Sequence, residues 1–300
     1  MKTPPYLQKG DTVAIVAPAR SVSIEEMMPA ITLFEEWGLK VVLSEHLFAV
    51  QNQFAGTEEE RAEDFQTMLD DDNVKAIFCA RGGYGAVRII DLILFEYFAQ
   101  HPKWIVGYSD MTVLHSHIHT CFGVETLHAT MPINVFANPH YESMESMHDA
   151  LFGLPLSYQI PTTPLSRTGE GRGQLVGGNL SILYSLCASE SDIRTEGKIL
   201  FIEDLDEYLY HIDRMIQNMK RSGKLNHLSG LIVGGLSEMK DNTIPFGQTA
   251  EEIISEAVAE FDYPVCFGFP AGHLDDNRAL IMGREVKLIV NEGVTELIFG

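Results

Sequence analysis

The sequence predicts an α/β protein with an open parallel sheet and helices on both of its faces. Two observations indicate this fold class. Apolar strand-like runs alternate with helical patterns through the first half of the chain. The first run, residues 12–18, is apolar almost throughout, as is typical of strands buried on both faces of a parallel sheet. A β-α-β-α order of this kind implies parallel strands joined by crossover helices.

Start and stop signals place the elements of the first half. Ser23 precedes a helical pattern with acidic residues in its first turn, and Gly38 ends that pattern. Thr57 opens a second helix, and three glutamates follow it where the helix dipole favours them. Further strands are predicted at residues 39–43, 74–79 and 105–106, and a further helix follows residue 85.

The composition changes around residues 154–174, a polar stretch rich in proline and glycine. We interpret it as a linker between an N-terminal domain, residues 1–153, and a C-terminal domain, residues 175–300. The elements predicted in the second half are a turn leading into a helix at 175–184, strands at 198–202, 228–234 and 265–268, helices at 210–220 and 249–261, and a hairpin of 286–290 with 294–299.

Charge and composition narrow the classes of function. The 300 residues include 45% apolar and 21% charged side chains, as in a soluble globular protein, and carry a net charge of −21. This charge disfavours binding to nucleic acid and to anionic membranes, and suits a cationic or zwitterionic small substrate better. The N-terminal segment lacks the apolar core of a signal peptide, and the four cysteines are scattered, so we expect a cytoplasmic protein with free thiols.

Ser109 lies where a strand turns sharply into a helix. The apolar pair Ile105–Val106 is followed by Gly107, and apolar residues recur at helical spacing from Met111 onward. A nucleophilic serine lifted off a sheet has this setting, with the N–H of Asp110 directed at an oxyanion. The alternative is an ordinary N-cap serine, and the pattern departs from G-x-S-x-G because Met111 replaces the second glycine.

A glycine-rich segment, residues 81–85, also follows a strand and precedes a helix. It matches neither a P-loop nor a dinucleotide fingerprint, so a phosphate-binding loop is one interpretation and a tight turn is another. A third is that it lies beside Ser109 at the carboxyl end of the sheet, where a glycine N–H supplies a second oxyanion donor.

A serine nucleophile needs a base and an orienting acid. His273 lies in a loop that leaves a strand, and Glu203 closes the strand at residues 198–202. Three histidines of the predicted elbow helix are rivals, and two of them, His115 and His119, stand one helical turn apart as a metal pair would. No further ligand at suitable spacing completes such a metal site.

Six motifs occur in an order that resembles the LD-carboxypeptidases, a serine peptidase family that includes murein tetrapeptide carboxypeptidases and microcin C immunity enzymes. The motifs are residues 10–18, 80–85, 106–110, 177–181, 201–204 with 212–215, and 269–273. The resemblance runs nearly from end to end of the chain. It implies a flavodoxin-like N-terminal domain, a smaller β-rich α/β C-terminal domain, an active site in the cleft between them, and a homodimer.

The resemblance also assigns roles to residues. It implies a triad with Ser109 as nucleophile, Glu203 as acid and His273 as base, and it implies oxyanion donors at the N–H groups of Asp110 and Gly83. No metal and no cofactor is expected. Candidates for substrate binding are Arg81, Gly82 and Tyr84, of which Arg81 is the nearest arginine for a terminal carboxylate.

The substrate implied by the resemblance is the murein tetrapeptide L-Ala-D-Glu-diaminopimelate-D-Ala, which loses its terminal D-alanine during cell-wall recycling. Two alternatives stay open. One is an immunity-type peptidase that cleaves peptidyl or aminoacyl nucleotides, although residues 187–198 contain no Trp or Phe to stack on a base. The other is a two-domain binding protein without catalytic activity.

Overall fold

The structure is a computed structural model that describes residues 1–137 and 140–300. Its strands, in chain order, are β1 (Thr12–Val16), β2 (Lys40–Leu43), β3 (Val74–Cys79), β4 (Trp104–Gly107), β5 (Thr126–His128), β6 (Ser157–Pro161), β7 (Gly169–Asn179), β8 (Ile199–Leu205), β9 (Gly230–Ser237), β10 (Val265–Phe267), β11 (Leu280–Met282), β12 (Glu285–Val290) and β13 (Val294–Phe299).

The helices alternate with these strands in the first half of the chain and in the middle of the second. They are α1 (Ile24–Glu36), α2 (Glu58–Asp70), α3 (Ala86–Ile89), α4 (Glu96–Gln100), α5 (Thr112–His117), α6 (Pro132–Ala137), α7 (Tyr141–Phe152), α8 (Leu180–Ser185), α9 (Leu209–Arg221) and α10 (Ala250–Ala257). Across the described ranges, none of the helices is long and apolar enough to cross a bilayer.

The first sheet confirms the predicted parallel fold. Its strand order is β11-β5-β4-β3-β1-β2; β1 to β5 run parallel to one another, and β11 joins β5 in the antiparallel direction. Alternate residues of β1 enter two separate cores: Val13 and Ile15 pack in one, and Ala14 and Val16 pack in the other. Both faces of the sheet are therefore covered, which explains the apolar run in this strand.

The second sheet is mixed and is formed by the second half of the chain. Its order is β10-β9-β8-β7-β12-β13-β6, with β7 to β10 parallel and the remaining pairs antiparallel. The predicted hairpin is confirmed, because Val286 pairs with Phe299 and Val290 with Thr295. The two-domain architecture has the predicted mixed α/β class.

The predicted linker, residues 154–174, differs from the structure in its local conformation. It contains β6, in which Tyr158 and Ile160 are buried, and the first half of β7. Its glycines mark close approach of backbones: a Cβ on Gly171 would lie 1.8 Å from the carbonyl oxygen of Ser229. Residues 175–179, predicted as a turn, likewise continue β7, and the division into domains at 153 and 175 stays a prediction.

The helix starts follow their capping residues. Ser23 and Thr57 each form a capping box with a glutamate three residues later, which satisfies N–H groups of the first turn. The helix after Ser109 is less regular than predicted, because it begins as a 3₁₀ turn at Ser109–Met111 and ends as a π turn at Ile118–Phe122. The helix predicted at 249–261 ends at Ala257.

Candidate active site

Ser109 occupies a strained turn at the carboxyl end of β4. Its φ is +63°, in the left-handed region that a residue with a Cβ enters at a cost of about 1–2 kcal/mol. Gly82 packs against it, because a Cβ on Gly82 would lie 3.2 Å from Ser109 Oγ. The N-cap alternative is wrong: α5 begins after Met111 and has no side-chain cap.

A chain of hydrogen bonds joins Ser109 to His273 and Glu203. Ser109 Oγ lies 3.0 Å from Nε2 of His273, and Nδ1 of the same ring lies 2.6 Å from Oε2 of Glu203. Because a carboxylate only accepts, Nδ1 carries the proton and Nε2 is free to accept from the serine hydroxyl. This is the geometry of a nucleophile, a base and an orienting acid.

Backbone contacts fix the acid and the base relative to each other. Glu203 is 0% exposed, in β8, and its Oε2 also accepts the backbone N–H of His273 at 3.2 Å. Gly272 precedes the histidine with φ +103°, and a Cβ there would lie 2.6 Å from Glu203 Oε2. Only glycine therefore lets the loop approach the buried carboxylate this closely.

The electrostatics favour the protonated imidazole. Burial alone lowers the pKa of His273, but the negative charge of Glu203 and its hydrogen bond outweigh burial and raise the pKa above its usual value. Tyr108 packs against the imidazole with ring centroids 4.9 Å apart. Burial raises the pKa of Tyr108 to about 12, so its hydroxyl stays neutral.

The carboxylate of Asp110 holds the glycine-rich loop. Asp110 is buried, and its Oδ2 accepts the backbone N–H of Ala86 at 2.8 Å. Burial raises the pKa of Asp110, while the bond from Ala86 and the nearby charge of Arg61 oppose that rise. Arg61 donates from Nη1 to the carbonyl oxygens of Pro18 and Gly85. Residues 81–85 are therefore anchored at their carboxyl-terminal end.

The structure brings most of the predicted site residues to one cavity of about 480 Å³. Its walls include Ser109, Asp110 and His273, and also the predicted substrate-binding residues Arg81 and Gly82 together with Gly83. Glu203 lies behind His273, outside the lining. Tyr84 is not among the described residues that line this cavity. Its ring packs against Phe54, with the two ring centroids 6.2 Å apart.

Several lining residues were missed from the sequence. They are Arg20, which follows β1, and a polar group at the carboxyl ends of β7 and β8 formed by Asn179, Ser181 and Asp204. Asp204 accepts bonds from the Asn179 side chain and from the backbone of Ser181. Burial and the charge of Glu203 raise the pKa of Asp204 to about 7. The available signal in the sequence was their position, since each lies at or near the carboxyl end of a strand.

The rival histidines are engaged elsewhere. His115 and His119 are buried, and their Nε2 atoms contact the Gly107 carbonyl at 2.9 Å and Thr126 Oγ1 at 3.1 Å. Burial lowers the pKa of His115 to about 4 and that of His119 to about 3. Across residues 1–137 and 140–300, no group of three metal-ligating side chains is found.

Two family models match the chain. The LD-carboxypeptidase N-terminal domain matches residues 13–129, and the LD-carboxypeptidase C-terminal domain matches residues 172–288. The chain therefore belongs to the LD-carboxypeptidase family and is a serine-type carboxypeptidase. The resemblance read from the six motifs is confirmed.

Individual relatives cover nearly the whole chain. The probable murein peptide carboxypeptidase of Bacillus subtilis is 34% identical over 98% of this chain and 95% of its own length. The murein tetrapeptide carboxypeptidase of Pseudomonas aeruginosa is 26% identical, with 92% of each covered. The crystal structure of muramoyltetrapeptide carboxypeptidase from Oxalobacter formigenes superposes with a TM-score of 0.88 at 25% identity, over 96% of this chain and 98% of that one.

The fold is also shared with an immunity protein. The microcin C7 self immunity protein MccF, solved with aspartyl sulfamoyl adenosine, superposes with a TM-score of 0.86 at 20% identity, over 98% of this chain and 97% of that one.

Proposed function

We propose that this carboxypeptidase hydrolyses the bond before the terminal D-alanine of murein tetrapeptide, through a triad of Ser109, His273 and Glu203. The observation that carries the proposal is the unbroken hydrogen-bond chain from Ser109 Oγ through His273 to the buried Glu203. The names of the relatives from Bacillus subtilis and Pseudomonas aeruginosa support murein peptides as the substrate class.

In the acylation step, Ser109 Oγ attacks the carbonyl carbon between diaminopimelate and D-alanine. His273 Nε2 takes the hydroxyl proton as the new C–O bond forms, and Glu203 stabilises the imidazolium. The left-handed backbone at Ser109 supports this role, because a strained turn exposes the hydroxyl above the end of the sheet.

The tetrahedral intermediate carries a negative oxygen that needs preorganised donors. In the proposal the backbone N–H groups of Asp110 and Gly83 supply them. Both residues line the cavity, and the bond from Ala86 to Asp110 keeps the glycine-rich loop in place. Donors fixed in this way need no reorganisation as charge develops.

Collapse of the intermediate breaks the C–N bond, and the imidazolium of His273 gives its proton to the leaving amine of D-alanine. A water molecule then attacks the acyl-enzyme with His273 again as base, and Ser109 leaves with a proton. The products are free D-alanine and a murein tripeptide.

The cavity supports a peptide substrate over a nucleotide. Among its described lining residues, the aromatic side chains are Tyr108 and His273, and these two rings pack against each other. No Trp or Phe among the described lining residues offers a flat surface for a base. Cleavage of aminoacyl nucleotides therefore remains the second candidate, and only the shared MccF fold favours it.

The experiment compares release of D-alanine from murein tetrapeptide by the wild type, by Ser109→Ala and by the control Ser185→Ala. Ser185 is an exposed serine of α8 that bonds the Ile182 carbonyl. We expect Ser109→Ala to lose about four decades of kcat with its fold intact, and Ser185→Ala to match the wild type. Comparable turnover by Ser109→Ala would overturn the nucleophile assignment.

Failure of the wild type to release D-alanine would overturn the assignment of murein tetrapeptide as the substrate. Hydrolysis of an aspartyl sulfamoyl adenosine analogue by the same preparation would then favour the second candidate. Cytoplasmic location, a role in cell-wall recycling and a homodimer complete the proposal on the strength of the family resemblance. Cell fractionation tests the cytoplasmic location, and sedimentation velocity tests the homodimer.

A further inference from the structure

Two arginines face the active-site cavity without a counter-ion. Arg20 and Arg81 both line it, and within residues 1–137 and 140–300 neither guanidinium forms an ion pair. Among the described residues, three of the eleven arginines form ion pairs, namely Arg88, Arg278 and Arg284, so the feature that sets Arg20 and Arg81 apart is their shared place in the cavity lining. Two unpaired guanidinium groups in a molecule of net charge −21 indicate a place where an anion binds.

Contacts through two glycines place Arg20 close to the nucleophile. A Cβ on Gly83 would lie 2.5 Å from Cδ and 2.6 Å from Nε of Arg20, so the guanidinium begins directly over this glycine. A Cβ on the adjacent Gly82 would lie 3.2 Å from Ser109 Oγ. The glycines therefore let a cation approach the serine where larger residues would block it.

We propose that Arg20, together with Arg81, binds the carboxylate of the residue that leaves, and so makes the enzyme an exopeptidase. This rests on the proposed function. In a peptide the carboxyl carbon of the last residue lies about 3–4 Å from the carbonyl carbon under attack. An anion that close to Ser109 falls within reach of a long side chain that starts beside Gly83. A guanidinium fork matches a carboxylate with two parallel hydrogen bonds.

A polar part of the cavity lining gives Arg20 and Arg81, here called the clamp, a direction. It consists of Asn179, Ser181 and Asp204, which are neutral or acidic. A carboxylate is repelled there and attracted on the side of Arg20 and Arg81, so the chain end of the peptide has one orientation. Substrates with an amidated or extended C-terminus lack the charge in this position and bind less tightly.

The test is the preference for a free acid over an amide. Tetrapeptide and its C-terminal D-alaninamide analogue are compared for wild type, Arg20→Gln, Arg20→Lys and Arg172→Gln. Arg172 is an exposed arginine seven residues before the cavity end of β7, about 23 Å away along the strand, and serves as the control. We expect the wild type to prefer the acid by about 10- to 100-fold in kcat/KM.

The expected result is specific to a carboxylate contact. Arg20→Gln should lose most of this preference by reducing kcat/KM for the acid, with the amide changed less than about threefold. Arg20→Lys should recover part of it, since the charge remains and the fork is lost. Arg172→Gln should match the wild type. Equal losses for acid and amide in Arg20→Gln would overturn the proposal and indicate that Arg20 only supports Gly83.

Binding measurements separate this inference from the proposed function. Calorimetry on Ser109→Ala, with and without Arg20→Gln, gives Kd for the acid and the amide with no turnover. If the wild type does not cleave tetrapeptide but Ser109→Ala binds the acid more tightly in an Arg20-dependent way, the proposed function fails and the clamp stands. If cleavage occurs and acid and amide bind equally, the clamp is wrong.

Discussion

Replacing Glu203 by glutamine removes one buried charge and leaves the side-chain volume almost unchanged. Oε2 of Glu203 accepts two N–H groups of His273, from Nδ1 at 2.6 Å and from the backbone at 3.2 Å. A glutamine satisfies both only with its carbonyl oxygen. In the opposite orientation its NH₂ donates to Nδ1, which leaves the proton on Nε2 where it blocks acceptance from Ser109.

The expected loss in kcat is about 10³- to 10⁴-fold, or about 4–5.5 kcal/mol of transition-state stabilisation. The change also moves the pH profile. His273 acts as base only when neutral, so kcat/KM rises as the pH passes upward through its pKa. Burial lowers the pKa of His273 and the charge of Glu203 raises it, so removal of that charge lowers the pKa. The acid limb of the glutamine variant therefore lies at lower pH than that of the wild type.

The assay is release of D-alanine across about pH 5 to 9, with Glu238→Gln as the control. Glu238 is exposed, and its charge raises the pKa of His273 less than that of Glu203 does. We expect Glu238→Gln to keep kcat within about twofold and to shift the acid limb slightly in the same direction. The assignment of Glu203 is refuted if its glutamine variant retains a tenth of the activity with an unshifted acid limb.

Three further substitutions test the backbone around the site. Ser109→Gly should unfold in urea with a free energy about 1 kcal/mol higher than Ser109→Ala, because only glycine adopts φ +63° without strain. Gly177→Ala should lose about 3 kcal/mol or more of stability, seen as a lower Tm, because its Cβ would lie 1.9 Å from the carbonyl oxygen of Phe201. Asp110→Ala keeps its backbone N–H but frees that of Ala86, and should lower kcat about tenfold with KM nearly unchanged, measured by steady-state kinetics.

Local sequence patterns predicted those parts of the fold that are determined locally. Thr57 and Glu60 form a capping box because both partners lie within one helical turn, so their spacing is visible in the sequence. The continuous apolar run of β1 is likewise a direct consequence of burial on both faces. The parallel direction of the strands followed from their alternation with helices along the chain.

Parts that depend on distant pairing could not be predicted in the same way. Strand β11 contains three residues and joins the first sheet next to β5, more than 150 positions earlier in the chain. The glycines of β7 suggested a linker between domains, but Gly171 is required by the close approach of the Ser229 backbone. In both cases the deciding contact lies far away in sequence, and composition alone does not contain it.

In the candidate site, too, the positions of residues along the chain were predictable but their contacts were not. Ser109, Glu203 and His273 could be proposed because each lies in a motif near the carboxyl end of a strand. The 2.6 Å and 3.0 Å contacts between them, however, depend on how the two sheets meet. Arg20 was missed because it belongs to no motif quoted for the family. Its significance comes from its place in the cavity lining and from its contact with Gly83, and both are properties of the folded chain.

The net charge of −21 favoured a cationic or zwitterionic substrate, whereas the proposed tetrapeptide carries several carboxylates. The net charge describes the whole surface, whereas substrate binding depends on the charges inside the cavity. Surface charges are screened beyond about 8 Å at physiological ionic strength, so the total charge has little influence inside the cavity. In the described lining of the cavity, Arg20 and Arg81 supply positive charge beside the acidic residues Asp110, Asp204 and Asp206. The local arrangement therefore decides which anion binds, and the acidic remainder of the surface disfavours polyanions that cannot enter the cavity.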